Sequence, residues 1–75
     1  MKTRIMNLYN INISKEFLKS NISDKKIEKA KDYIKKHKKI DKPIVVNNNG
    51  VLMDNYTRLI AAYLMGLHEV PCVEV

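Results

Sequence analysis

Cysteine is nearly absent from this chain and histidine is scarce. The single cysteine, Cys72, excludes an intramolecular disulfide. No Cys-x-x-Cys pair occurs, and the two histidines, His37 and His68, stand far apart, so no resident metal is expected. No apolar run of signal-peptide length follows Lys2 and Arg4. None approaches the length that spans a bilayer. A cytoplasmic location is expected, with no membrane partner. Internal repeats, linkers and low-complexity tails are also missing.

What is present is short and basic. The 75 residues form one domain, 1–75, and 45% of them are hydrophobic, enough for a folded core and too many for a disordered chain. A chain this small buries about 60% of its unfolded surface. Its core is therefore thin, which disfavours a deep dry cavity and favours an open groove. The formal charge of +6 suits an anionic partner: nucleotide, nucleic acid or an acidic protein. A competing explanation is codon bias, because the 12 Lys, 9 Ile and 8 Asn all have A/T-rich codons.

The element pattern reads strand, helix, hairpin, helix, strand. Arg4–Ser14 predicts one strand, with Met6, Leu8, Ile11 and Ile13 as its apolar positions. A short turn follows and docks Phe17 and Leu18. Residues 22–39 predict a helix with Ser23 as N-cap, Ile22 and Ile27 as a hydrophobic staple, and an Ile27, Ala30, Ile34 stripe. Pro43–Val46 and Val51–Met53 predict a hairpin around the Asn47–Gly50 turn. Asp54 or Asn55 caps a second helix packed through Leu59, Ile60, Ala62, Tyr63 and Leu64. Gly66 ends that helix in the left-handed region, with Leu67 folding back. In the last strand, Pro71 suggests an edge position or unpaired first residues. The fold class is α+β, a small mixed sheet with two main helices.

Two sets of residues carry candidate chemistry. The first is the turn Asp54, Asn55, Tyr56, Thr57 and Arg58, which reads as the entrance to a phosphate site. A helix start offers free N–H donors and the positive dipole end, and Arg58 adds a forked donor. The alternative is that Arg58 only pairs with Asp54, four positions earlier. The second set is the lysine-rich end of the first helix. Nine Lys stand between Lys25 and Lys42 against Glu28, Asp32 and Asp41, an excess of six. Lys35, Lys36, Lys38 and Lys39 are the candidate nucleic-acid contacts if they share a face with Arg58; otherwise they form a solvated face.

The run PIVVNNNGVLMDNYTRLIAAYLMGLHEVPCVEV resembles the core of the ParB/sulfiredoxin superfamily, and the upstream lysine-rich helix falls where that family has one. The resemblance implies that the helix-opening turn contacts nucleotide phosphates. Arg58 matches the family arginine, Asp54 the acidic position and Asn55 the glycine. Thr57 stands where partition proteins often have a second arginine. Tyr56 stands where sulfiredoxins carry their reactive cysteine, so sulfinic-acid repair is not expected. The chain ends before the second nucleotide motif, the helix-turn-helix and the dimer domain of partition proteins, so a complete CTP-gated DNA clamp is not expected either.

Three function classes follow. The leading one is a ParB-like module that binds phosphate-bearing ligands, nucleotide or nucleic-acid backbone, at the N-terminus of the second helix. Another is a protein-interaction or inhibitor module of a mobile element, with the lysine helix docking an acidic partner. The third is a metal-dependent nuclease or phosphotransferase using nucleotide and Mg²⁺, with Asp54 as metal ligand or base and Arg58 as phosphate clamp. That reading needs Glu69 or Glu74 to approach the turn.

Overall fold

The computed structural model describes residues 2–75. Four strands form one sheet: β1 (Lys2–Asn7), β2 (Ile44–Val46), β3 (Leu52–Asp54) and β4 (Glu69–Glu74). Their order is β1-β4-β2-β3. The outer pairs β1/β4 and β2/β3 are antiparallel, while the central pair β2/β4 is parallel. A one-turn helix α1 (Lys15–Leu18) precedes the two main helices, α2 (Asp24–His37) and α3 (Tyr56–Leu64). The α+β class and the two-helix mixed sheet agree with the reading of the sequence.

The core lies between the sheet and the helix layer. Ile44, Val46, Leu52, Val70 and Cys72 are its most deeply buried side chains. Ile34 of α2 and Leu59, Ala61 and Ala62 of α3 close it from above. Two consecutive alanines, both fully buried, leave little bulk between α3 and its neighbours. Each fully buried aliphatic side chain contributes about 1.5–3 kcal/mol by leaving water.

Several local details differ from the expectation, each for a physical reason. The first strand ends at Asn7, whose side chain accepts the Tyr9 N–H at 2.9 Å and turns the chain into a 3-10 turn, Leu8–Asn10. Leu8 and Ile11 are buried from that turn, outside any named strand. Phe17 packs on Tyr56 with ring centroids 5.4 Å apart, but Leu18 faces solvent. Tyr63 and Leu64 are also exposed, and Ala61 takes the inward position instead. Ser23 occupies the N-cap of α2 without a side-chain cap bond. The strand β4 is interior, so of the two alternatives for Pro71 the edge fails, while unpaired first residues hold on the β2 side. The proline fits because β2 pairs with β4 only from Cys72 onward, so at Pro71 only the β1 side is paired.

Two turns set the entry to β3 and the exit from α3. Asn47 Oδ1 accepts the N–H groups of Asn49 and Val51 at 2.9 and 3.0 Å, closing the hairpin before Gly50 (φ +77°). At the end of α3, Gly66 takes φ +78°; its N–H donates to the Tyr63 carbonyl and the Leu67 N–H to the Ala62 carbonyl. That is a Schellman ending, and it returns Leu67 to the core.

Candidate functional site

The strand β3 runs directly into α3 through one residue. Asp54 is the last residue of β3, not a helix cap. Asn55 is the N-cap, in the left-handed region at φ 69°, ψ 36°. Asparagine tolerates this region better than most residues. The conformation is pinned from both sides: the Asn55 N–H donates to Asp54 Oδ1 at 2.8 Å, and Asn55 Nδ2 donates to the Pro43 carbonyl at 2.7 Å. The Asn55 side chain therefore makes no cap bond to the helix. Among the described residues, the N–H groups of Tyr56 and Thr57 find no protein acceptor. These are the free donors and positive dipole end expected of a helix start.

Arg58 stands one turn further along. Its partner is Asp41, not Asp54. Arg58 Nε donates to Asp41 Oδ1 at 2.7 Å and Nη2 to Oδ2 at 3.2 Å, while Nη1 donates to Asn55 Oδ1 at 3.3 Å. The alternative pairing with Asp54 assumed that Asp54 and Arg58 share a helix face. Because Asp54 belongs to a strand, that spacing does not apply. The guanidinium beside it holds the Asp41 carboxyl below the ordinary carboxylate range, against the opposing effect of partial burial.

A groove of about 710 Å³ opens over this turn. One wall is Asp54–Arg58 with Asp41; the other is α2 and the segment before it, including Asn21, Ser23, Lys26, Lys29 and Tyr33. All five turn residues named from the sequence thus share one concavity. Its charged side chains are Lys26, Lys29 and Arg58 against Asp41 and Asp54.

The lysine-rich helix does face Arg58, but through its N-terminal half. Lys35, Lys36, Lys38 and Lys39 are exposed and do not line the groove. Lys26, Lys29 and Tyr33 do. Their three-to-four residue spacing beside Ala30 was the available signal, because those positions flank the stripe that turns inward. Asp41 gave no comparable signal.

The remaining reactive groups lie elsewhere. Glu74 is near Arg4 (3.6 Å), and neither Glu69 nor Glu74 lines the groove. Among the described residues, no three His, Cys, Asp or Glu side chains gather as a metal-ligand cluster. Cys72 is fully buried in β4, and burial raises its thiol pKa, the opposite of what a nucleophile needs. No helix among the described residues is long and apolar enough to cross a membrane.

No family model matches the sequence, and no curated protein matches it. Solved structures do match in three dimensions. The chain superposes on a pNOB8-like ParB-N domain with TM-score 0.83 and 23% identity, over 97% of this chain and 29% of that one. Sulfiredoxin from Arabidopsis thaliana gives TM-score 0.81 and 19% identity, over 100% and 85%. The chromosome-partitioning protein ParB from Caulobacter crescentus, C-terminally truncated and complexed with CTP-γ-S, gives 0.80 and 17%, over 100% and 44%. The chain spans less than half of either ParB structure and most of the sulfiredoxin. Its fold is ParB/sulfiredoxin-like.

Proposed function

We propose that this chain, on its ParB/sulfiredoxin-like fold, binds phosphate-bearing ligands in the groove between α2 and the start of α3. The ligand is a nucleotide or a nucleic-acid backbone. One observation carries the reading: a single concavity is lined by Tyr56 and Thr57, whose amides have no protein acceptor among the described residues, together with Arg58, Lys26 and Lys29. Free helix-start amides and forked or point cations are the donor set that recognises phosphate. The structural likeness to a ParB solved with a nucleotide analogue supports the same ligand class.

The roles divide by geometry. The Tyr56 and Thr57 amides take the phosphate nearest the helix, and the Thr57 hydroxyl adds a donor. Lys26 and Lys29 supply charge from the facing helix. Asn55 shapes the turn, and Asp54 fixes Asn55. Lys35, Lys36, Lys38 and Lys39 lie outside the groove and serve only a polymer long enough to continue past it. With Glu69 and Glu74 elsewhere, the nuclease or phosphotransferase reading has, among the described residues, only Asp41 and Asp54 as groove carboxylates.

The test is a titration of labelled CTP, ATP and a short DNA duplex at low salt, on wild type, Arg58→Ala, Lys26→Ala and Lys29→Ala. Losing one charge-assisted contact worth about 1.4 kcal/mol weakens binding about tenfold. Each lysine variant is expected to lose about three- to tenfold, because exposed charges contribute less. The two lysines are solvent-facing, so their variants stay folded if Arg58→Ala does not. Unchanged affinity in all three variants, or no binding by wild type, removes the proposal.

A second reading, the protein-interaction module, is supported by an apolar groove of about 350 Å³ that shares Tyr56 with the first and is lined further by Leu8, Tyr9, Ile13, Ile60 and Tyr63. Tyr9 and Tyr63 meet edge to face across 6.0 Å, and both are exposed. A stoichiometric protein recovered from native lysate by wild type and lost with Tyr63→Ala would favour this reading over nucleotide binding.

A further inference from the structure

Arg58 and Asp41 meet in the two-pronged geometry that a guanidinium also offers to phosphate: Nε to Oδ1 at 2.7 Å and Nη2 to Oδ2 at 3.2 Å. Carboxylate and phosphate therefore compete for one edge of one group. A third nitrogen, Nη1, is already engaged by Asn55 Oδ1 at 3.3 Å. A guanidinium held this way has its paired edge occupied and its charge offset by a contacting anion. The attraction left in the groove comes from Lys26 and Lys29 against Asp54.

The placement of Asp41 suits an exchangeable group. It lies between α2 and β2, outside any helix or strand. Its backbone is tethered on both sides, by buried Ile40 and by the Pro43 carbonyl that accepts from Asn55. Its side chain is one-third exposed, at 34%, and lines the same groove as Arg58, at 26%. Releasing Arg58 needs only a side-chain rotation into water, with the tethers intact.

We infer that Asp41 is an internal stand-in for phosphate: it occupies the fork of Arg58 in the unliganded protein, and a ligand phosphate binds by exchanging with it. The contact is autoinhibitory. It rests on the phosphate-binding reading of the groove and adds to it which residue sets the threshold for binding. The opposite role is a brace, in which Asp41 orients Arg58 toward the ligand and stays bound to it. The two roles predict opposite signs for removal of the carboxylate charge.

The probe is inorganic pyrophosphate, titrated calorimetrically at low salt into wild type, Asp41→Asn, Arg58→Ala and the double variant, each checked by thermal melting. Asparagine keeps an oxygen acceptor at the same position, so the loop retains its local shape. Competition predicts that Asp41→Asn binds pyrophosphate about three- to tenfold tighter, and that this gain vanishes in the Arg58→Ala background, as for two residues acting through one contact. Weaker binding by Asp41→Asn identifies a brace and overturns the inference while leaving the phosphate site standing. An equal gain with and without Arg58 reports only a nearby negative charge and also overturns it. If Arg58→Ala does not fold, Asp54→Asn provides the comparison. Asp54 is a carboxylate of the same groove outside the Arg58 fork, and a gain equal to that of Asp41→Asn overturns the inference. Pyrophosphate bound by neither wild type nor Asp41→Asn removes the site and the inference together.

Discussion

The Asn55 side-chain amide donates to the Pro43 carbonyl at 2.7 Å, tying the start of α3 to the residue just before β2. That bond and the positive φ of Asn55 together hold the turn in shape. Glycine at this position keeps the conformation and loses the side-chain bonds to Pro43 and Arg58; alanine loses the same bonds and is strained.

The first prediction separates those two contributions. Asn55→Gly is expected to lower stability by about 1–2 kcal/mol, the net value of the bond to Pro43 and the longer one from Arg58 Nη1. Asn55→Ala is expected to cost about 1–2 kcal/mol more, from the left-handed conformation. Urea unfolding of the three proteins reads both differences. Equal stability of the glycine and alanine variants would contradict the assigned backbone geometry.

A second prediction concerns the end of α2. Lys38 closes that helix in the left-handed region, at φ 61° and ψ 20°, where glycine or asparagine is usual. No glycine is available between Ser23 and Lys42. Lys38→Gly is expected to stabilise the protein by about 0.5–1 kcal/mol, seen as a higher Tm. A lower Tm would mean that the lysine side chain makes a contact worth more than the strain it carries.

Acid should weaken the groove before the core. Asp41 has a depressed carboxyl pKa because Arg58 hydrogen-bonds its charged form, with Lys42 adding a smaller attraction. A depressed acid contributes stability that is present above the unfolded value, about 3.9, and lost as pH falls through the lower folded value. The charged groups around it are Arg58 and Lys42 beside it, Asp54 on the same wall of the groove, and Lys26 and Lys29 on the facing helix. Wild type should exceed Asp41→Asn by about 0.5–1 kcal/mol near neutral pH, as for a well-formed surface pair. That margin should shrink once the pH drops below the ordinary carboxylate range. A margin constant down to the lowest accessible pH would contradict the pairing.

Much of the fold was legible because its signals are local. The PIVV run, the asparagine-glycine turn, the Gly66 ending and the apolar stripe of α2 each follow from periodicity or backbone preference over a few residues. The turn Asp54–Arg58 was legible for the same reason, and all five residues line one groove. The partner of Arg58 was not. Asp41 lies 17 residues earlier, and nothing local distinguishes it from the chain's other acids. The choice among lysines also depended on packing. Charge density pointed to Lys35–Lys39, whereas the crossing of α2 over α3 brings Lys26 and Lys29 to the groove. Tyr63 and Leu64 were misjudged because apolar residues surround α3 in sequence, and only the sheet decides which side is covered.

The central claim is that phosphate enters at the start of α3, opposite the N-terminal half of α2. A backbone amide NMR titration with CTP, and separately with inorganic pyrophosphate, tests it residue by residue. Saturable shifts are expected to be largest at Tyr56 and Thr57, whose amides lack protein acceptors, with smaller shifts at Lys26 and Lys29 and the least at Lys35 and Lys36. Unmoved resonances at Tyr56 and Thr57 at saturating ligand, or the largest shifts around Tyr9 and Tyr63, would contradict the account.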